Sequence, residues 1–132
     1  MLGTCRYKPF NTEDLVEKLR EKGVTQLYIV GGSHSAHRVN EIQKAIKKHK
    51  YMISVVGIPS SLDNDVPFFD KSFGFETSTS ESVRFITAAN VEAEGAELGI
   101  GIVRLMGHNC GFFAVEASLA SHDVNICVVP EI

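Results

Sequence analysis

Two carboxylates one residue apart, Asp63 and Asp65 in Ser61-Leu62-Asp63-Asn64-Asp65, are the residues most able to do chemistry in this chain. Placed in a loop, such a pair can divide labour. One acts as a base for a hydroxyl group and the other faces a divalent cation. The same five residues also suit an Asx-rich turn, because Asp and Asn favour turns whatever else they do. A second candidate is Gly31-Gly32-Ser33-His34-Ser35. A Gly-rich turn between a strand and a helix can aim backbone N–H groups and the helix dipole at a phosphate. Two glycines equally suit a tight turn of the chain and nothing more. His34 and His37 share a helical spacing, but no Cys or carboxylate stands at a ligand spacing from them, so a metal reading is weak.

Positioning these segments requires a regular alternation of elements. Thr12-Glu13-Asp14 opens a helix with acidic residues in its first turn, Leu15, Val16 and Leu19 form its stripe, and Gly23 stops it. The apolar run 26–30 reads as a strand closed by Gly31-Gly32. Val39, Ile42 and Ile46 then recur at helical spacing, with Lys47-Lys48-His49-Lys50 as a solvated, dipole-matched end. The spacing predicts a strand over 52–56, a loop from Ile58 to about Glu76, and a helix from about Thr79 to Leu98. After these come a strand over 100–106, a turn over 107–111, a helix from Phe112 to about Ser121, and a buried strand over 125–129. Alternating helices and apolar strands point to an α/β fold, an open parallel sheet with helices on both faces. In such sheets ligands gather at the carboxyl ends of strands, where Gly31–Ser35, Ser60–Asp65, Gly107–Gly111 and Glu131 all fall.

Composition narrows the function classes. With 132 residues, 44% hydrophobic and 22% charged, the chain suits one core rather than two. A net charge of −3 with scattered basic residues gives no footprint for nucleic acid. The longest apolar run, 52–59, is far short of the roughly 20 residues that cross a bilayer, and the N-terminus lacks a signal-peptide core. The expectation is a cytoplasmic protein without a membrane partner. Cys5, Cys110 and Cys127 show no C-x-x-C spacing and read as reduced thiols.

The string Gly57-Ile58-Pro59-Ser60-Ser61-Leu62-Asp63-Asn64-Asp65 resembles the G-I-P-K-T-I-D-N-D segment of the phosphofructokinases. Its companions agree in order and spacing. Leu2-Gly3-Thr4-Cys5-Arg6 resembles L-G-T-S-R, Gly31-Gly32-Ser33-His34-Ser35 resembles G-G-D-G-T, and residues 71–77 resemble K-S-F-G-F-D-T. Residues 105–111 resemble L-M-G-R-x-[SC]-G, and Pro130-Glu131 resembles the P-E pair. The resemblance covers the whole chain and is to the plant and trypanosomatid ATP-dependent branch, itself similar to the pyrophosphate-dependent enzymes.

The resemblance implies a Rossmann-like half of the phosphofructokinase fold and one partial catalytic domain over residues 1–132. It implies transfer of a phosphoryl group from ATP to the 1-hydroxyl of fructose 6-phosphate, with Mg2+, pyrophosphate remaining open as donor. Asp63 is then the general base, and Asp65 lies near the metal and the substrate. Ser61, Met106, Gly107, His108 and Glu131 face the sugar phosphate, while Arg6, Gly32, Ser33 and Ser35 belong to the nucleotide side. Family members carry a Gly-rich phosphate loop before the position of Leu2 and a second half after Glu131. Family members build their sugar site across a subunit interface, so the resemblance implies a second copy or a full-length phosphofructokinase subunit as partner.

Four of the departures from the family pattern change charge or bulk where phosphate is handled. Ser33 stands for the Asp of G-G-D and removes a charged hard-oxygen group. His34 stands for a Gly and crowds the phosphate approach, Ser60 replaces a Lys, and His108 replaces an Arg whose charge and bidentate geometry imidazole lacks. The expectation is impaired or absent turnover in the isolated chain, or alternatively a non-catalytic module that binds a sugar phosphate or a full-length relative.

Overall fold

The computed structural model describes residues 10–108 and 110–131. Arg6, assigned above to the nucleotide side, lies outside the described residues. The chain divides into two compact units between Ile58 and Pro59.

In the first unit, helix α1 (Thr12–Glu21) starts where Asn11 accepts the Glu13 N–H on its side-chain oxygen at 3.0 Å. This satisfies one of the donors that a helix start leaves bare. Glu13 and Asp14 in the first turn and Lys18 and Arg20 in the last complement the helix dipole. Gly23, at φ +67°, reverses the chain by a left-handed step. Strand β1 (Gln26–Gly31), helix α2 (Ser33–His49) and strand β2 (Ser54–Pro59) follow, and the two strands pair as a parallel β-α-β unit.

Val16, Ile42, Ala45 and Ile46 form the core of this unit, with Leu15, Leu27, Ile29, Tyr51, Ile53 and Val55 packed against it. Alternation along β1 sends Leu27 and Ile29 inward and leaves Tyr28 and Val30 exposed. Both helices of the unit thus share a core with one face of its sheet.

The second unit holds α3 (Phe75–Glu94) and α4 (Phe112–Ser121), which pack on each other, and Phe75, Ile86, Phe113 and Ala117 are buried in it. Helix α4 has the expected bounds. Helix α3 starts four residues earlier than the expected Thr79, because Gly74 at φ +93° makes the entry turn and Phe75 is buried directly after it. Thr79 and Ser82 are buried in this helix, with hydroxyls donating to the carbonyls of Phe75 and Ser78 at 3.1 and 2.8 Å.

The expected strands over 100–106 and 125–129 form no ladder, and the paired sheet among the described residues has two strands. An apolar run records a need for burial and does not specify a neighbour for its backbone. Ile102 and Val128 stay 88% and 82% exposed. Gly99 and Gly101 lie instead against the backbone of α3. A Cβ at Gly101 would stand 2.9 Å from the Ala89 carbonyl oxygen, so only glycine lets the chain approach this closely. A cavity of about 1020 Å3 lies among α3, α4 and residues 99–107 and 122–130. Among the described residues no helix is long and apolar enough to cross a membrane.

Candidate functional site

The loop after β2 is held by side chains that bond to backbone. Phe73 N–H donates to Pro59 O at 3.0 Å and Ser61 N–H donates to Phe73 O at 3.1 Å, making a parallel bridge between Ser60 and Phe73. Asn64 sits at φ +53°, a left-handed conformation that Asn tolerates better than most residues. Its amide donates to Asp70 O at 2.9 Å and its carbonyl oxygen accepts the Ser72 N–H at 2.8 Å. Buried Ser72 donates its hydroxyl to Ser61 O at 2.6 Å. The segment 61–65 is thereby closed into a fixed turn.

Within that turn Asp63 is half-buried, and its N–H donates to Ser61 Oγ at 3.1 Å. Its carboxylate Oδ1 accepts the His108 N–H at 3.0 Å, and its carbonyl oxygen accepts the Cys110 S–H at 3.2 Å. Gly107, at φ +153°, allows the facing turn to pass close by. A Cβ there would lie 3.4 Å from Asp63 Oδ1 in a conformation that strains other residues. With Oδ1 held, Oδ2 makes no hydrogen bond among the described residues, which suits a base that must meet an incoming hydroxyl.

Three expected segments therefore meet in the second unit: 61–65, 107–111 and the residue Glu131. Glu131 Oε1 accepts the Gly111 N–H at 2.6 Å, placing its carboxylate at the start of α4. Met106 and His108 are exposed beside this cluster. Asp65 is exposed and borders a cavity of about 360 Å3 with Asp70, Phe69 and Phe112. No group of three or more His, Cys, Asp or Glu side chains able to hold a metal occurs among the described residues. One exposed carboxylate still fits the mode in which Mg2+ keeps its waters and is bound by a single Asp and substrate phosphates.

The glycine-rich segment belongs to the first unit. Gly32 caps α2, and its carbonyl accepts the Ala36 N–H at 3.1 Å. A Cβ on Gly31 would collide with the Ser35 side chain, so Ser35 packs onto the strand end and itself requires glycine there. Ser33 and Ser35 are half-buried and His34 is exposed. The first turn of α2 carries no acidic residue, leaving its N–H groups electrostatically open to an anion.

Two carboxylates outside these segments are ion-paired with shifted pKa values. Glu76 accepts from Lys71 Nζ at 2.6 Å, which raises the lysine pKa and lowers that of the carboxylate. Glu13 accepts from Lys48 Nζ at 2.8 Å and also pairs with His49, and both contacts hold its pKa below the ordinary carboxylate value.

Sequence reasoning singled out Asp63 and Ser61 but assigned no task to Asn64 or Ser72. The available signal was the left-handed tolerance of Asn inside an Asp-Asn-Asp turn.

The family model described as Phosphofructokinase matches residues 1–132. The chain is 46% identical over 131 residues to ATP-dependent 6-phosphofructokinase 1 of Arabidopsis thaliana, covering 99% of this chain and 28% of that relative. It is 40% identical to the ATP-dependent 6-phosphofructokinase of Trypanosoma cruzi, covering 99% of this chain and 27% of that one. Among solved structures, the pyrophosphate-dependent phosphofructokinase from Marinobacter aquaeolei superposes with a TM-score of 0.66 at 24% identity, over 89% of this chain and 31% of that one. That likeness shows the fold. The chain spans about a quarter of the length of the curated relatives it matches.

Proposed function

The chain belongs to the phosphofructokinase family, and from that premise we propose that it carries the general-base segment for phosphoryl transfer from ATP to the 1-hydroxyl of fructose 6-phosphate. The observation that carries this reading is the fixed Asp63, held through Oδ1 by the His108 N–H inside a turn closed by Asn64 and Ser72. Phosphoryl transfer asks little covalent chemistry of a protein. It asks for an aligned alcohol, a proton acceptor and compensation of phosphate charge.

Asp63 Oδ2 takes the proton of the sugar hydroxyl, and the Ser61 hydroxyl, Met106, Gly107 and His108 line the sugar phosphate. Asp65 would hold Mg2+, which would neutralise charge on the donor phosphates. Gly32, Ser33 and Ser35 serve the nucleotide side. The Arabidopsis and Trypanosoma relatives named above are ATP-dependent, which supports ATP over pyrophosphate.

Ser33 in place of a carboxylate and the bulk of His34 in the cradle, and His108 in place of a guanidinium, weaken contacts to phosphate more than contacts to sugar. The isolated chain is therefore expected to bind fructose 6-phosphate weakly and to turn over slowly or not at all. Millimolar fructose 6-phosphate should shift the backbone amide resonances of Ser61, Asp63, Gly107 and His108, and His108→Arg should strengthen the binding. Absence of any shift at these four residues would overturn the reading.

The same departures at Ser33, His34 and His108 favour a second reading, a non-catalytic module that associates with a full-length relative. Co-purification of the tagged chain with such a relative, together with no turnover in a coupled assay with ATP or pyrophosphate, would select it.

A further inference from the structure

We infer that Ser72 is a positioning residue for Asp63, gripping the turn that carries the base on both of its flanks and tying it to the start of helix α3. This rests on reading Asp63 as the general base.

The two grips fall on residues either side of the base. The Ser72 hydroxyl donates to the Ser61 carbonyl at 2.6 Å, and the Ser72 N–H donates to Asn64 Oδ1 at 2.8 Å. Ser61 in turn accepts the Asp63 N–H on its own hydroxyl at 3.1 Å, so the grip on residue 61 reaches the base through one further bond. Asp63 Oδ1 meets its donor, the His108 N–H, directly at 3.0 Å. A displacement of residues 61 and 64 therefore moves the carboxylate against that donor. Misplacing a reacting group by an ångström is enough to cost about 100-fold in rate.

Ser72 can hold the turn because it is itself held. It is only 5% exposed, a setting in which a hydroxyl needs an acceptor. Its carbonyl accepts the Phe75 N–H at 3.3 Å, and Phe75 is buried as the first residue of α3. On its other side, Lys71 Nζ reaches Glu76 in the first turn of α3 at 2.6 Å. Phe73 adds the bridge to Pro59 and Ser61. The strap 71–75 is thus anchored at the helix by burial and an ion pair, and it delivers two hydrogen bonds to the turn. Ser82 supplies the contrast. It is as buried as Ser72, but its hydroxyl donates to Ser78 O at 2.8 Å, inside its own helix.

The test compares amide exchange in Ser72→Ala, Ser72→Thr and Ser82→Ala. In Ser72→Ala the amides of Asp63 and His108 should exchange about 10-fold faster, the loss of one buried hydrogen bond, while α3 keeps its protection. Ser72→Thr retains the hydroxyl and should hold both amides near their original rates. Ser82→Ala removes a hydroxyl of the same burial and should leave both amides unchanged. Unaltered Asp63 and His108 amides in Ser72→Ala, or equal acceleration of them in Ser82→Ala, would overturn the inference. General loss of protection along α3 in Ser72→Ala would also overturn it, since Ser72 would then hold the whole unit rather than the turn. Millimolar fructose 6-phosphate separates this idea from the reading beneath it. Absence of shifts at Ser61, Asp63, Gly107 and His108 in the unmodified chain would remove Asp63 as the base, and the Ser72 comparison would still decide what orients its turn.

Discussion

The two units of this molecule are held by different means. Around Val16, Ile42 and Ile46 the first unit relies on aliphatic contact among two helices and one sheet face. The second buries Ser72, Thr79 and Ser82 beside its apolar residues, and its key loop is tied by side chain to backbone hydrogen bonds. Apolar packing is non-directional and tolerates small displacements, whereas a hydrogen bond loses value within a few tenths of an ångström and a few tens of degrees. A segment that must present one carboxylate oxygen at a fixed place gains more from the second kind of support.

The strongest way to break this contrast is to remove its aliphatic side. Ile42→Ala should cost about 3 kcal/mol by leaving a cavity under α2, with hydrogen exchange accelerating over residues 12–58. Equal acceleration over 61–73 would show that the two kinds of support are not separate.

Asn64 probes the directional side. Asn64→Ala loses two hydrogen bonds and a residue tolerant of φ +53°, an expected cost of about 2 kcal/mol. Asn64→Gly keeps the backbone freedom and should recover part of it. If the two variants unfold alike and the Ser72 amide keeps its protection in both, the lacing is not what holds the loop.

The smallest effect comes from exposed charge. The Glu13 pKa lies below 4.5 because of Lys48 and His49, so this pairing contributes above the unfolded carboxylate value and is lost as pH falls through the folded one. Glu13→Gln should flatten that part of an acid unfolding curve by a small amount and leave neutral pH nearly unchanged. Salt should erase the difference, as screening does for surface pairs. A large change at neutral pH would mean that charge, rather than aliphatic contact, holds the first unit.

Helices α1 and α4 were legible because their stripes and stops are local. Gly23 after Lys22 and Gly111 before Phe112 mark an end and a start that depend on nothing distant. The start of α3 was hidden, since Phe73-Gly74-Phe75-Glu76 reads as loop until Gly74 is seen at φ +93°. Residues 100–106 and 125–129 were legible as apolar and extended, yet pairing depends on another backbone, which no property of the segment itself encodes. In the site, Asp63 and Ser61 stood out by chemical type. Asn64 and Ser72 did not, because their work is to hold carbonyls and amides whose positions only the folded loop defines.

The unladdered runs have a colloidal consequence. Ile100, Ile102, Ile126 and Val128 present beta-branched side chains to water on backbone that bonds to no neighbouring strand among the described residues. Such edges template pairing between molecules. Solubility of the isolated chain should fall with concentration and with salting-out ions, and lysine substitutions at Ile102 and Val128 should raise it without altering the Asn64 turn.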